Sequence, residues 1–286
     1  MLDNRIWMSL VLFGLSYALG GHAVEFPPCN VTTEVVDHTF AAIRNATLET
    51  RPYPTIYIEQ IFEPAFYACI LGNIPRPNLT KRVYNSPPGR GAGRYRIKLR
   101  GGSGPYVHTE VSSLKPQDAK HINEPFWTAF ARSFGSKAIQ TLWLSKFQIS
   151  VVKRKWTDSI RAEMYYFMEL NRDLSGYAIG PHTDSANKWV TTLYYLPKDD
   201  SHIDEGGTAV MRSKSGKKQA VSSKRESWSN TDFQVVEMAP FKSNSVFAFA
   251  PCFTSWHAVP KVKNAFARDT IQGFISSKKE TPKSSC

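Results

Sequence analysis

The spacing of apolar positions changes along the chain, and the changes mark out its elements. Beyond residue 162 the period is two: Met164, Tyr166 and Met168 alternate with Tyr165, Phe167 and Glu169, as on a strand with two unlike faces. Trp189 to Leu196 predicts a more apolar strand, stopped by the polar turn Pro197-Lys198-Asp199-Asp200. Thr208 to Met211, Ser245 to Ala250 and Thr270 to Ile275 predict three more. Between residues 118 and 150 the period lengthens to that of helices, with Phe126, Phe130, Phe134, Ile139 and Leu142 on the apolar side and a start signal at Asn123-Glu124-Pro125. Residues 51–75 read as a strand around Ile56–Ile58 and then a helix opening at Glu63-Pro64, since proline is tolerated in a first turn. Short strands parted by polar turns, with helices grouped ahead of them, predict a mainly β chain with flanking helices (α+β), its strands in an antiparallel sandwich or barrel.

Two stretches break the pattern. In residues 81–102, Tyr95, Ile97 and Leu99 alternate with Arg96, Lys98 and Arg100, a strand with one apolar and one basic face. That basic face is either solvated or an electrostatic surface for an acidic partner. Residues 212–232 form a long polar insertion carrying Lys214, Lys217, Lys218, Lys224 and Arg225. An insertion of this length inside a domain is either a lid over a site or a solvated loop.

The apolar run at 6–19 is short for a membrane span and suits the core of a targeting signal, or else an amphipathic helix packed on the domain. Any membrane contact is expected only through that segment. Asn30, Asn45 and Asn78 each begin an Asn-X-Thr sequon, which would suit a secreted chain; otherwise the compartment is cytoplasmic. The expected organisation is an N-terminal extension over 1–49, a domain over 50–276 and a polar tail over 277–286.

The chain has 286 residues, of which 42% are apolar and 13% aromatic, enough for a substantial core. Its net charge of +12 speaks to partners rather than to fold. The four cysteines, Cys29, Cys69, Cys252 and Cys286, make no CxxC and are expected to be isolated thiols.

The candidate chemistry centres on His182-Thr183-Asp184. On an extended backbone the imidazole and the carboxylate point to the same side and can hold one metal ion. His257 is the candidate third ligand. Two histidines and a carboxylate make the facial triad of non-haem Fe(II) oxygenases, although imidazole and carboxylate also suit Zn, Mn and Ni. Further on, Arg268-Asp269-Thr270 offers a guanidinium able to grip a carboxylate in two places, with the Thr270 hydroxyl on the same strand face. His202 lies in a polar turn with no matching partner and is expected to be a surface histidine.

The order HxD, distal His, Arg-x-Thr resembles the Fe(II)/2-oxoglutarate-dependent oxygenases. GYAIGPHTD, TTLYYLPKDDSH, GGTAVMR and NSVFAFAPCFTSWHAV resemble consecutive core strands of that superfamily, and GPHTD is similar to a signature of a bacterial-type branch. The likeness runs over residues 50–276 and is densest from 165 to 275. It implies a double-stranded β-helix (jelly-roll) core, a metal held by His182, Asp184 and His257, and 2-oxoglutarate gripped by Arg268 and Thr270 with O2 as oxidant. Tyr177 is expected near the cosubstrate, and Asn171, Arg172 and Tyr195 near the substrate. Asp184 stands where halogenating relatives carry a small residue. Phe274 stands where nucleic-acid demethylases carry a second arginine. Arg268 stands where collagen-type prolyl hydroxylases usually carry lysine. The expected substrate is therefore a small, anionic, amino-acid-derived molecule, hydroxylated, desaturated or cyclised, rather than nucleic acid. The alternatives are a hydroxylase of peptide or glycan side chains in a secretory compartment, and a cupin-like metal-binding module without catalysis.

Overall fold

A computed structural model describes residues 29–75, 93–99, 121–148, 150, 153–154, 163–219, 224–263 and 266–286. The apolar run at 6–19 and the sequon at Asn78 lie outside the described residues.

Among the described residues, ten strands form two antiparallel sheets. β1 (Thr55–Glu59), β2 (Arg94–Leu99), β3 (Tyr165–Asp173), β5 (Lys188–Tyr195), β8 (Ser245–Phe249) and β10 (Arg268–Ser276) make the larger, in the order β1-β8-β5-β10-β3-β2. β4 (Ile179–His182), β6 (Thr208–Ser213), β7 (Phe233–Ala239) and β9 (His257–Val259) make the smaller, in the order β4-β9-β6-β7. Leu193, Tyr195, Val210, Phe247 and Phe249 pack between the sheets as one apolar cluster. Tyr195 of β5 bonds Thr208 of β6 through their hydroxyls at 2.7 Å. The expected mainly β, jelly-roll arrangement with flanking helices is what the chain adopts.

Four helices of ten residues or more lie among the described residues: α1 (Thr33–Asn45), α2 (Pro64–Asn73), α3 (Glu124–Phe134) and α4 (Lys137–Lys146). The start signals work as expected: Glu63 and Asn123 each accept the backbone N–H three residues on, satisfying a donor the helix itself leaves open. Phe62, Phe66, Phe126, Phe130 and Phe134 meet edge-on or stacked beneath the outer face of the larger sheet. Met164, Tyr166 and Met168 meet that layer, leaving the other face of β3 to the barrel interior.

The structure extends the folded unit past both expected boundaries. Ile43 of α1, before residue 50, is fully buried in the same core. The C-terminal residues run back over the turn after His182: Ser277 and Thr281 donate backbone N–H groups to Asn187 and Ala186, and Phe253 donates to Ser284. The cysteines correct the expectation of isolated thiols. Cys29 bonds Cys69 and Cys252 bonds Cys286, with Cα atoms 5.9 and 5.3 Å apart. Sequence distance hid both pairings, because each joins a segment outside the expected domain to one inside it.

Candidate metal centre and its cavity

His182 ends β4 and pairs in register with His257 at the start of β9, which sets the two imidazoles side by side with centroids 4.2 Å apart. Asp184 follows in the turn to β5. One candidate ligand atom from each of the three residues lies within 4.8 Å of the others, and all three residues are buried. The Nδ1–H of His182 points at the Gly180 carbonyl (2.9 Å) and that of His257 at the Ser255 carbonyl (3.0 Å). Each ring is thereby oriented with Nε2 left for a metal. Burial, reinforced by its neighbour His257, pushes the His182 imidazole down to about 3, and burial lowers His257 as well. Both rings are therefore neutral, the form that ligates. Burial opposes ionisation of Asp184, but the Lys188 ammonium beside it holds its carboxyl below the usual carboxylate range. Lys188 donates to Oδ1 at 2.8 Å and the Thr191 hydroxyl to Oδ2 at 2.6 Å.

The triad opens into a cavity of about 340 Å³ between the sheets, walled by β2, β3, β5 and β10. Its cations are Arg94, Arg96, Lys188 and Arg225. The basic face of β2 therefore looks into the barrel rather than out to solvent: Arg94 donates its Nε–H and Nη2–H to the two carboxylate oxygens of Asp173, and Arg96 donates to Glu169 at 3.1 Å.

Arg268 is wholly buried. It donates to the Gly206 carbonyl, to Asp173 (3.0 Å) and to the Thr208 hydroxyl (3.3 Å), between the rings of Tyr195 and Phe241. Two guanidinium groups thus share the one carboxylate of Asp173, leaving a surplus positive charge where water is excluded. Beside it, Thr270 pairs across the ladder with Asn171. The Thr270 hydroxyl and the Asn171 carbonyl oxygen are buried without a hydrogen-bond partner. A buried cation in excess and orphaned polar atoms are what a missing anionic group would satisfy. The residues present thus fit both a divalent metal and a dicarboxylate beside it.

Three sequence expectations are corrected. Arg172 does not share the inward face of β3 with Asn171: neighbours on a strand face opposite ways, so Arg172 turns outward and pairs with Asp269 at 2.7 Å in a separate cleft. Tyr177, expected near the cosubstrate, packs with Ile179, Val259 and Val262 under the Arg94 guanidinium. Tyr195 sits beside Arg268 instead of on the substrate side. His202, expected at the surface, is half-buried and stacks on Phe266 at 4.2 Å. Sequence reasoning missed Thr191, Glu169 and Asp173. Strand alternation held the signal for them, since they share faces with Leu193 and Asn171.

The polar insertion is fastened to β4. Glu226 donates its N–H to the Pro181 carbonyl, the Trp228 indole donates to the Ile179 carbonyl, and the Gln219 amide oxygen accepts from Thr183. A Cβ on Gly180 would stand 2.0 Å from the Glu226 carbonyl oxygen, so only glycine admits this approach.

No family model matches the sequence, and no curated protein matches it. Solved structures do. A 2OG-Fe(II) oxygenase family oxidoreductase from Burkholderia pseudomallei is 16% identical, with 91% of this chain and 97% of that one covered at a TM-score of 0.44. A prolyl 4-hydroxylase from Phytophthora capsici is 12% identical, with 89% and 70% covered at 0.49. A prolyl hydroxylase from Trichoplax adhaerens, in complex with a hypoxia inducible factor peptide fragment, is 10% identical, with 87% and 94% covered at 0.45.

Proposed function

We propose that this chain is an Fe(II)/2-oxoglutarate-dependent oxygenase acting on a C–H bond of a small, anionic, amino-acid-derived molecule. The observation that carries the reading is the convergence of His182, Asp184 and His257 at one buried point, beside a buried guanidinium with charge to spare. A structural metal site would give no reason for Arg268 or for the orphaned Thr270 hydroxyl.

His182, Asp184 and His257 would hold the metal. Arg268 and Thr270 would take the distal carboxylate of 2-oxoglutarate. Bound Fe(II) with 2-oxoglutarate and O2 supplies the oxidising power to remove hydrogen from carbon, the keto acid leaving as succinate and CO2. The chain's own residues prepare for that chemistry. Gly180 and Ser255 fix the imidazole tautomers, Lys188 and Thr191 hold Asp184 ionised and aimed, and the sheets exclude water from Arg268. The cationic lining supports an anionic substrate.

Two disulfides and the exposed sequon residues Asn30 and Asn45 favour an oxidising compartment. They keep a second reading in view, a hydroxylase of peptide or glycan side chains in a secretory compartment. Anaerobic addition of Fe(II) and 2-oxoglutarate should give the weak visible charge-transfer band of the chelate, lost in His182→Ala. Turnover should release succinate with small carboxylated substrates. No band with wild type would end the oxygenase reading, and turnover of peptides alone would favour the second.

A further inference from the structure

We propose that Arg225, carried by the insertion between β6 and β7, is the residue that recognises the anionic group of the substrate. The inference rests on the oxygenase reading of the cavity and adds a specificity-determining residue to it.

Among the described residues four cations line the cavity, and three are ion-paired. Arg94 is held by Asp173, Arg96 by Glu169 and Lys188 by Asp184. Arg225 forms no ion pair among the described residues, yet it lines the same space as the candidate ligands. A guanidinium already paired with a carboxylate offers an incoming anion less net charge than an unpaired one. An uncommitted one gains a partner without losing one, so an incoming anion is drawn to Arg225 first.

The position is also built. Arg225 sits beside Glu226, whose backbone N–H is held by Pro181 at 2.8 Å, one residue before the first candidate metal ligand. Trp228 and Gln219 hold the flanking backbone against Ile179 and Thr183. Gly180 admits the contact with no room for a side chain. The insertion is therefore hydrogen-bonded to β4 beside Arg225, whose guanidinium lines the cavity. A loosely solvated loop would need neither the glycine nor the indole bond. The ligand class this selects is a carboxylate or comparable anion on a molecule small enough for the cavity.

The test uses the full chain with 2-oxoglutarate saturating, and calorimetric titration of N-acetyl-L-glutamate against its dimethyl ester, with Mn(II) and in a parallel arm with chelator. Wild type should bind the dianion more tightly than the ester. Arg225→Gln should weaken the dianion roughly tenfold or more, the worth of a charge-assisted hydrogen bond, and leave the ester unchanged. Arg225→Lys should retain part of the preference. Arg225 is exposed, so neither variant threatens the fold. Equal binding of the dianion by wild type and Arg225→Gln, or no charge preference in wild type, would overturn the assignment. Failure of wild type to bind Mn(II) would count against the metal-centre reading instead, and the chelator arm still reads the charge comparison.

Discussion

Thr191 touches no solvent and no apolar neighbour needs its hydroxyl; its evident task is the 2.6 Å bond to Asp184 Oδ2. Groups that orient a metal ligand without touching the metal typically carry about ten- to a hundredfold of its affinity. Thr191→Val keeps the shape and removes that bond. Mn(II) titration followed by paramagnetic resonance should show weaker binding by that factor, with the circular dichroism spectrum unchanged. Unaltered affinity would mean that Lys188 alone positions the carboxylate. His182, Asp184, His257 and Arg268 were legible in the sequence because metal and carboxylate chemistry restrict residue type. Thr191, Glu169 and Asp173 were not, because a threonine or an acid on a strand has many uses and only the partner across the sheet says which one applies.

The insertion between β6 and β7 is held by its own charges as well as by β4. Lys217 bonds Glu226, and Asp232 accepts from the Ser213 hydroxyl and the Ser215 N–H. These bonds hold the carboxyls of Glu226 and Asp232 below their ordinary values, the Lys217 bond acting first on Glu226 and the Ser213 bond on Asp232. A depressed folded value means the contribution is complete above about pH 4.5 and is lost as acidity rises through the folded values. Hydrogen exchange at pH 6 and pH 3.5, corrected for intrinsic rates, should show protection of Ser215 and Glu226 amides falling selectively at the lower pH. Protection that stays level would assign the docking to backbone bonds alone. The insertion's polarity showed that it was no core element, but not whether it docks: that depends on Gly180, whose need appears only once the Glu226 carbonyl is seen against it. The basic strand β2 is a similar case. Alternation identified its two faces, whereas the choice between solvent and cavity rested on Glu169 and Asp173 of the neighbouring strand.

At the scale of the whole molecule, stability is concentrated in the aromatic layer between the helices and the larger sheet. Phe130 meets the rings of Phe62, Phe66, Trp127 and Phe134 at centroid distances of 4.6 to 6.4 Å. Phe130→Ala should cost about 3–5 kcal/mol in urea unfolding, as large core deletions do, while metal affinity of the folded fraction stays put. The Cys252–Cys286 bond closes a separation of 34 residues. By chain entropy it stabilises by roughly 3–4 kcal/mol, so the double serine variant should unfold at correspondingly lower urea. Reductant should then shift the wild type further than the variant, which has only Cys29–Cys69 left to lose. The jelly-roll core was legible because strand periodicity survives in each segment taken alone. The two disulfides and the packed tail were not, because they belong to closure of the chain on itself, which no local pattern records.

The last residues have a share in the metal turn: Lys283 is buried and donates to the Thr183 hydroxyl and the Asp184 carbonyl. On a ribosome the chain emerges from its N-terminus, so His182 and Asp184 appear long before His257, Arg268 and Lys283 exist to complete their surroundings. β1 likewise waits for β8, its partner in the sheet. The surroundings of the metal turn are therefore complete only once residue 283 has emerged, and nascent chains halted before it should bind Mn(II) more weakly than chains that include it.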